Sequence, residues 1–231
     1  MIKAVFFDLY QTLVRYEPPR EEIEAKVLKD FGIDVSPAAL ARPIIVADEF
    51  IYNEIARRAL SQRSKEEKIA LYAQYQEVVL REAGIKCSQK VILSLLGAMQ
   101  QSRMDLVLFD DVASVLADLK EKGLILGLIS NIEQDMTETL TGLGLSTWLA
   151  IVVTSQDTGF NKPKPEIFRE ALRRAKVKPS EAIYIGDQYQ VDVIGARGAG
   201  MKAILLDRGD YYQEITDCPR IKSLTEAAGY L

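Results

Sequence analysis

The chain has 231 residues, of which 48% are hydrophobic and 27% are charged, and this balance is typical of a folded globular protein. The formal net charge is −4 with no long run of one sign, so the sequence shows no electrostatic footprint for nucleic acid. No apolar stretch has the length that a membrane span needs. The two cysteines, Cys87 and Cys218, stand outside any CxxC pattern. We therefore expect a cytoplasmic protein, a monomer or a homodimer, that binds neither nucleic acid nor membrane.

The absence of histidine narrows the possible chemistry. Without any histidine in the chain, catalytic triads that depend on His and His-ligated zinc sites are excluded. Acid–base or metal chemistry must therefore come from carboxylates, lysine, tyrosine or hydroxyl groups.

Short apolar runs predict the strands of a sheet, and helical patterns separate the later runs. The predicted strands are Lys3–Phe7, Leu124–Ile129, Ala150–Thr154, Ala182–Ile185 and Lys202–Leu206. The predicted helices that alternate with them are Asp111–Lys122, which stops at Gly123, and then Glu133–Leu143, Pro165–Ala175 and Asp192–Ala199. This alternation predicts an α/β fold with a doubly wound, Rossmann-like parallel sheet as its core.

The segment between the first two predicted strands has helical periodicity and no convincing strand. Its predicted helices are Arg20–Phe31, Pro37–Ser61, Lys65–Ala83 and Ser88–Gln101. We therefore predict that residues 16–104 form an inserted, all-helical cap domain and that residues 1–15 and 105–231 form the catalytic core. Open parallel sheets bind ligands at the carboxyl ends of their strands, which is where such a cap is expected.

Polar side chains follow four of the predicted strands. They are Asp8, Tyr10 and Thr12 after the first strand, Ser130 and Asn131 after the second, Lys162 shortly after the third, and Asp187 and Asp192 after the fourth. Because the carboxyl ends of parallel strands meet at one edge of a sheet, these groups should converge. Clustered carboxylates suit a hard cation such as Mg²⁺, and a neighbouring lysine can keep an aspartate nucleophile ionised. Such a nucleophile is a known solution for phosphoryl transfer.

In their order and spacing, the four clusters resemble the motifs of haloacid dehalogenase superfamily hydrolases, of the subfamily with a helical cap inserted after the first motif. The matching segments are Asp8-x-x-x-Thr12, Ser130-Asn131, Gly159-x-x-Lys162-Pro163, and Gly186-Asp187-x-x-x-x-Asp192 followed by Gly195-Ala196-Arg197. One of these motifs alone is weak evidence, whereas the ordered set across the whole core is specific.

The resemblance implies roles for the residues of the first three motifs. Asp8 is the nucleophile that attacks the substrate and becomes esterified. Thr12, Ser130 and Asn131 hold the transferring group. Lys162 balances the negative charge on Asp8 and on the substrate.

The resemblance also implies a metal site and a substrate contact. Asp187 binds Mg²⁺ together with Asp8 and the main-chain carbonyl of Tyr10. Asp192 supports Lys162 or the water shell of the metal. In the helical insert, Arg42 lies where related caps can place a residue for the carboxylate or phosphate of the substrate.

Two positions point to different chemistries. Phosphatases of this superfamily usually carry a second Asp two residues after the nucleophile, but here that residue is Tyr10, whose ordinary pKa near 10 makes it a poor base. The pattern Asp8-Leu9-Tyr10-x-Thr12 resembles the metal-independent 2-haloacid dehalogenases, in which the aspartate attacks carbon. Asp187 favours a metal instead, because that branch has Ser there and two carboxylates repel each other without a cation or a shared proton.

Three hypotheses follow from this conflict. The first is a Mg²⁺-dependent phosphatase that acts on a small phosphomonoester through an aspartyl-phosphate. The second is a 2-haloacid dehalogenase, and the third is a ligand-binding protein that keeps the fold without useful catalysis. We take the phosphatase as the leading hypothesis, and in it Tyr10 shapes the substrate-binding site rather than transferring a proton.

Overall fold

The computed structural model describes all 231 residues and divides them into two compact units. The core unit comprises Met1–Arg15 and Val107–Leu231, and the helical unit comprises Tyr16–Leu106. None of the helices combines the length and the apolar character that crossing a bilayer requires.

The chain forms eight strands and nine α-helices. The strands are β1 (Ala4–Phe7), β2 (Val14–Glu17), β3 (Asp105–Leu108), β4 (Ile125–Ser130), β5 (Ile151–Thr154), β6 (Ala182–Gly186), β7 (Lys202–Leu206) and β8 (Arg220–Ile221). The helices are α1 (Arg20–Asp30), α2 (Pro37–Arg57), α3 (Lys65–Glu82), α4 (Gln89–Gln101), α5 (Val112–Glu121), α6 (Thr137–Gly142), α7 (Ser155–Thr158), α8 (Pro165–Ala175) and α9 (Ile194–Gly198).

Six parallel strands form the sheet of the core unit in the order β5-β4-β1-β6-β7-β8. β1 lies between β4 and β6, with Phe7 opposite Leu128 and Ile185. All four residues of β1 are fully buried, and α5, α8 and α9 pack against the sheet. Burial on both faces explains why this strand is continuously apolar instead of alternating. The predicted Rossmann-like α/β core is thus confirmed.

Several predicted boundaries were wrong for local reasons. The helix predicted at Glu133–Leu143 begins only at Thr137, where Asp135 Oδ1 accepts hydrogen bonds from the main-chain N (2.9 Å) and from Oγ1 (2.6 Å). The helix predicted to reach Ser61 ends at Arg57, because Arg58 adopts an extended conformation. The helix predicted to start at Asp192 starts at Ile194 as α9, because a π-helical turn occupies Tyr189–Val193. Gly123, predicted to end α5, has the expected left-handed φ of 76°.

Three short strands were not predicted. β2 and β3 pair as a separate two-stranded sheet, and the two residues of β8 add the last strand beside β7. β2 and β8 contain no apolar run, whereas β3 contains Leu106, Val107 and Leu108, a run that the sequence analysis missed.

The helical unit is built from α1 to α4. α2 packs against α1 and α3, and α4 packs against the same two helices. The interior is aliphatic, with Leu28, Leu40, Val79 and Leu95 fully buried. A reciprocal capping box stabilises the start of α3. The side chain of Ser64 accepts from the main-chain N of Glu67, and the side chain of Glu67 accepts from the main-chain N of Ser64.

A polar cluster is also buried in the helical unit. Arg20 donates to both carboxylate oxygens of Asp48, at 2.9 and 2.5 Å, and the hydroxyl of Tyr75 donates to Oδ1 at 3.2 Å. Nearby, the buried carboxylate of Glu24 accepts a short hydrogen bond from the amide of Gln76. Desolvation raises the pKa of Glu24 above its ordinary 4.5.

Candidate active site

The carboxylate of Asp8 lies at the carboxyl end of the central strand β1. Its main-chain N donates to Ile185 O at 3.0 Å, which extends the sheet by one residue. Oδ1 accepts hydrogen bonds from Lys162 Nζ at 2.6 Å and from Ser130 Oγ at 3.0 Å. These three predicted site residues therefore meet, although 122 and 154 residues separate Asp8 from its partners in the sequence.

Lys162 occupies the centre of the site, with its side chain only 3% exposed. Nζ donates to Asp8 Oδ1, to Asp192 Oδ1 at 2.7 Å and to the hydroxyl of Tyr184 at 2.8 Å. An ammonium has three N–H donors, and here all three are used. Desolvation lowers the pKa of Lys162, but the carboxylates of Asp192 and Asp8 more than reverse this effect and raise it. The lysine is therefore held as a cation.

Asn131 supports the main chain on which Lys162 sits. Its Oδ1 accepts from Lys162 N at 2.6 Å, and its Nδ2 donates to Lys162 O at 3.1 Å. The amide therefore joins the end of β4 to the loop that carries the lysine. That Asn131 also holds the transferring group stays a prediction.

Asp192 is almost fully buried and is held at both of its carboxylate oxygens. Oδ1 binds Lys162, and Oδ2 accepts from Gln188 N at 3.0 Å. The carboxylate lies directly against Gly186, where a Cβ atom would come within 2.3 Å of Oδ2. A glycine is therefore required before Asp187 so that Asp192 can reach the lysine.

The acidic residues Asp8, Asp187 and Asp192 form a cluster in which one oxygen of each lies within 4.8 Å of the others. All donors in this cluster are oxygens, which is the ligand type that Mg²⁺ prefers. Burial raises the pKa of Asp8, an effect that the charge of Lys162 opposes and the charge of Asp192 reinforces. A further positive charge beside Asp8 would favour its ionised form.

Thr12 is fully buried in the loop that follows Asp8, and its Oγ1 has no hydrogen-bond partner. The loop folds back on itself, since the main-chain N atoms of Leu13 and Val14 both donate to Leu9 O at 2.9 Å. A buried hydroxyl without a partner is costly unless something else binds it. That the Thr12 hydroxyl holds the transferring group stays a prediction.

The two remaining predicted residues lie at more exposed positions. Tyr10 is half-buried in the same loop and forms an isolated β-bridge with Val14. Arg42 is an exposed residue of α2 in the helical unit. That these two residues contact the substrate stays a prediction.

Tyr184 is a residue of the site that the sequence analysis missed. It lies inside β6, fully buried, and its ring packs edge-on against Phe168 with a centroid distance of 5.2 Å. Its hydroxyl accepts from Lys162, and its own proton is shared between Ile129 O at 2.9 Å and Asp192 Oδ1 at 3.1 Å. Burial and the charge of Asp192 raise the pKa of Tyr184 well above its ordinary value. The sequence did contain a signal for this residue, namely a tyrosine within an apolar strand. A buried tyrosine hydroxyl needs a hydrogen-bond partner, which indicates a polar group nearby.

The fold and the site together define a class of protein. Proteins of this class have a doubly wound parallel sheet and, at the carboxyl end of its central strand, a buried carboxylate–ammonium pair without histidine. In this chain the pair is Asp8 and Lys162. The family model of the haloacid dehalogenase-like hydrolases matches residues 2–200. The chain therefore belongs to the haloacid dehalogenase-like hydrolase family, which confirms the resemblance drawn from the four motifs and makes the protein a hydrolase.

Individual relatives cover nearly the whole chain. The chain is 32% identical to the glyceraldehyde 3-phosphate phosphatase of Methanothermobacter thermautotrophicus, over 95% of this chain and 90% of the relative. It is 31% identical to the protein of the same name from Methanopyrus kandleri, over 91% and 86% of the two chains. A solved structure of a 2-haloacid dehalogenase from Pseudomonas syringae pv. Tomato is similar over 99% of this chain and 97% of that chain, with a TM-score of 0.58 and 28% identity.

Proposed function

We propose that this hydrolase is a Mg²⁺-dependent phosphatase that acts on a small phosphomonoester through an aspartyl-phosphate at Asp8. The observation that carries the proposal is the position of Asp187 beside Asp8 and Asp192. Lys162 balances one of these three negative charges and leaves two, which is the charge that one divalent cation neutralises. The relatives named as glyceraldehyde 3-phosphate phosphatases support the same chemistry.

The carboxylate of Asp8 would act through its second oxygen. Oδ1 is held by Lys162 and Ser130, so Oδ2 is the atom that we assign to the attack on phosphorus. The new bond joins Oδ2 to phosphorus, and the bond from phosphorus to the leaving alcohol oxygen breaks. Water then attacks the same phosphorus, releases inorganic phosphate and restores the Asp8 carboxylate.

The surrounding residues stabilise charge and fix positions. Lys162 offsets negative charge on Asp8 and the phosphoryl group, and the Thr12 hydroxyl donates to a phosphoryl oxygen. Asp8, Asp187 and the main-chain carbonyl of Tyr10 would hold Mg²⁺, which supplies further positive charge at the phosphoryl oxygens. The leaving oxygen takes its proton from water, because Tyr10 stands where related phosphatases have a carboxylic acid.

Dehalogenation is the second candidate, and two observations favour it. Tyr10 replaces the usual second Asp, and a 2-haloacid dehalogenase is among the similar solved structures. In that reaction Asp8 attacks the carbon atom that carries the halogen, halide leaves, and water hydrolyses the resulting ester. No metal takes part, so Asp187 would have no task in it.

A paired assay separates the candidates. The substrates are p-nitrophenyl phosphate and 2-chloropropionate, each with Mg²⁺ and with EDTA, and Asp8→Asn is the control that removes the nucleophile. We expect phosphate release that EDTA abolishes and that the Asp8→Asn protein lacks. Chloride release that survives EDTA would establish the dehalogenase instead. Saturable ligand binding without turnover of either substrate would support a protein that has lost catalysis.

The missing second Asp offers a gain-of-function test. General acid–base catalysis contributes roughly 10²–10⁴-fold in rate, so Tyr10→Asp should raise phosphatase kcat if this group limits turnover. Tyr10→Asn is the matched control, because it has the same size as Asp without an ionisable group. Equal rates in the two variants would contradict the explanation.

We also propose that the helical unit selects the substrate and that Arg42 is its anion-binding residue. Arg42→Ala should raise KM with little change in kcat, since a contact present before and during the reaction affects binding alone. Arg57, an exposed arginine of the same helix paired with Glu54, gives the matched control Arg57→Ala. Equal KM values in both variants would remove Arg42 from the substrate site.

We infer a reducing, cytoplasmic environment from the cysteines. Both thiols are free, with Cys87 half-buried in the helical unit and Cys218 buried in the core unit. Proteins of oxidising compartments more often pair their cysteines. Cell fractionation with an antibody against the chain tests this location.

A further inference from the structure

Arg208 binds the loop that carries the nucleophile, although it lies 196 residues away from that loop in the sequence. It follows β7 near the C-terminal end of the core unit. Nη2 donates to the main-chain O of Thr12 at 3.0 Å. The same guanidinium holds Asp111 with two parallel bonds, from Nη1 to Oδ2 and from Nη2 to Oδ1, both 2.9 Å.

Phe109 provides a second tie at the same place. The guanidinium carbon of Arg208 lies 3.9 Å from the centroid of the Phe109 ring, a stacked cation–π arrangement. Phe109 N also donates to Leu13 O at 3.1 Å. The main-chain carbonyls of Thr12 and Leu13, in the loop that carries the nucleophile, therefore both accept hydrogen bonds from residues outside that loop.

Asp111 is itself anchored by the C-terminal segment. Its Oδ2 accepts from Ser223 Oγ at 2.7 Å and from Leu224 N at 2.9 Å. With the two bonds from Arg208, the carboxylate accepts four hydrogen bonds from protein groups. The guanidinium is thus fixed by its two bonds to the anchored Asp111 and by stacking on Phe109. The fixed guanidinium in turn holds the main-chain carbonyl of Thr12 in place.

We infer that Arg208 is a positioning residue that holds the nucleophile loop, residues 8–14, so that the Thr12 hydroxyl points at the substrate. The inference rests on the proposed function in assigning a substrate oxygen to Thr12. Thr12 Oγ1 has no partner of its own, so its direction is set by the main chain and by packing. Gln11, directly before Thr12, has a φ of 59°, a left-handed conformation that is uncommon for residues other than glycine. The bond from Arg208, here called the clamp, fixes the carbonyl of the residue that follows it.

The kinetic test is a double-mutant cycle between residues 208 and 12. Arg208→Gln should lower kcat/KM for p-nitrophenyl phosphate by about 10- to 100-fold, the range that a displaced catalytic group produces. In a Thr12→Val background the same change should cost less than about threefold, because Arg208 acts through Thr12. Equal losses in both backgrounds would show a general structural effect and would overturn the inference.

Arg220 offers a matched control in the same segment. It is 25% exposed against 20% for Arg208, and it pairs with Asp207 at 2.8 Å and Asp210 at 2.5 Å. Arg220→Gln should change kcat/KM less than about threefold, since its ion-pair partners Asp207 and Asp210 lie outside residues 8–14. A loss as large as that of Arg208→Gln would also contradict the inference.

Hydrogen exchange tests the clamp without any turnover. Peptides that cover residues 8–14 should exchange faster in Arg208→Gln than in the unaltered protein or in Arg220→Gln. Unchanged exchange in this segment would refute the clamp even if activity fell. Absence of phosphatase turnover in the unaltered protein would instead count against the proposed function, and the exchange result would then decide the clamp on its own.

Discussion

Replacement of Tyr184 by phenylalanine tests the central network with little change in shape. The variant keeps the ring and its edge-on contact with Phe168, and it removes only the hydroxyl oxygen. Lys162 then loses one of its three acceptors, at 2.8 Å, while Ile129 O and Asp192 Oδ1 lose the proton that they share. Because the site is buried, no bulk water replaces these bonds.

The expected magnitude follows from the charge on the lysine. Hydrogen bonds to charged groups contribute about 1.5–3 kcal/mol, so Tyr184→Phe should lower the free energy of unfolding by about 2 kcal/mol. For a chain of this length 1 kcal/mol corresponds to about 2–4 °C, and the midpoint temperature should therefore fall by about 4–8 °C. The ammonium keeps its bonds to Asp8 and Asp192 but loses the third one, which fixed its position, so kcat should fall about tenfold, which corresponds to about 1.4 kcal/mol.

Thermal unfolding and steady-state kinetics measure both effects, and Tyr189→Phe is the matched control. The Tyr189 hydroxyl donates to Asp217 at 2.9 Å in an exposed position, so its loss should change stability by less than about 0.5 kcal/mol. If the two variants unfold at the same temperature and turn over at the same rate, Tyr184 does not support Lys162 and our reading of the network is refuted.

Three further variants test other parts of the chain. Asp187→Asn should weaken Mg²⁺ binding in calorimetric titration by more than about tenfold, while the metal-free protein should be at least as stable, because one like charge is removed from the cluster. Glu24→Gln should raise stability in urea by about 1 kcal/mol at pH 7, and the gain should vanish below pH 4.5, because the buried carboxyl has a raised pKa and folding favours its neutral form. Gly186→Ala should destabilise the protein by about 3 kcal/mol or more in thermal unfolding, since the new Cβ pushes Asp192 away from the lysine. Gly142→Ala, where a Cβ meets nothing within 4 Å, should be neutral.

The sheet could be predicted from the sequence because its central strands are buried on both faces. A run such as Ala4–Phe7 must be wholly apolar when helices cover both sides of the sheet, and that signal is local. β2 and β8 carry no such run, and β3 has an apolar run that is only half-buried. Their pairing is set by the fold around them, which a window of a few residues cannot contain.

The site residues that could be predicted are those that lie directly at the end of a predicted strand, because the end of a strand fixes their position at the edge of the sheet. Asp8 and Ser130 meet because each ends or follows a neighbouring parallel strand. The contacts of Tyr184 and Arg208 depend instead on side chains that cross the interior, and no spacing in the sequence encodes them. The spacing of residues also does not show which hydrogen bonds a side chain makes within the protein. The side-chain amide of Asn131, for example, uses both its oxygen and its nitrogen to bind the main chain of Lys162.

Charge balance bears on the choice that Tyr10 leaves open. Burial raises the pKa of Asp8, the charge of Asp192 reinforces this effect, and the ammonium of Lys162 at 2.6 Å opposes it. Both candidate substrates are anions, and each would approach a cluster in which three carboxylates face one lysine. A 2-haloacid brings no cation to offset this repulsion, whereas phosphate chemistry with a bound divalent cation offsets it and favours the ionised form of Asp8. Asp187, which adds negative charge without a task in dehalogenation, is therefore the residue that favours phosphorus over carbon.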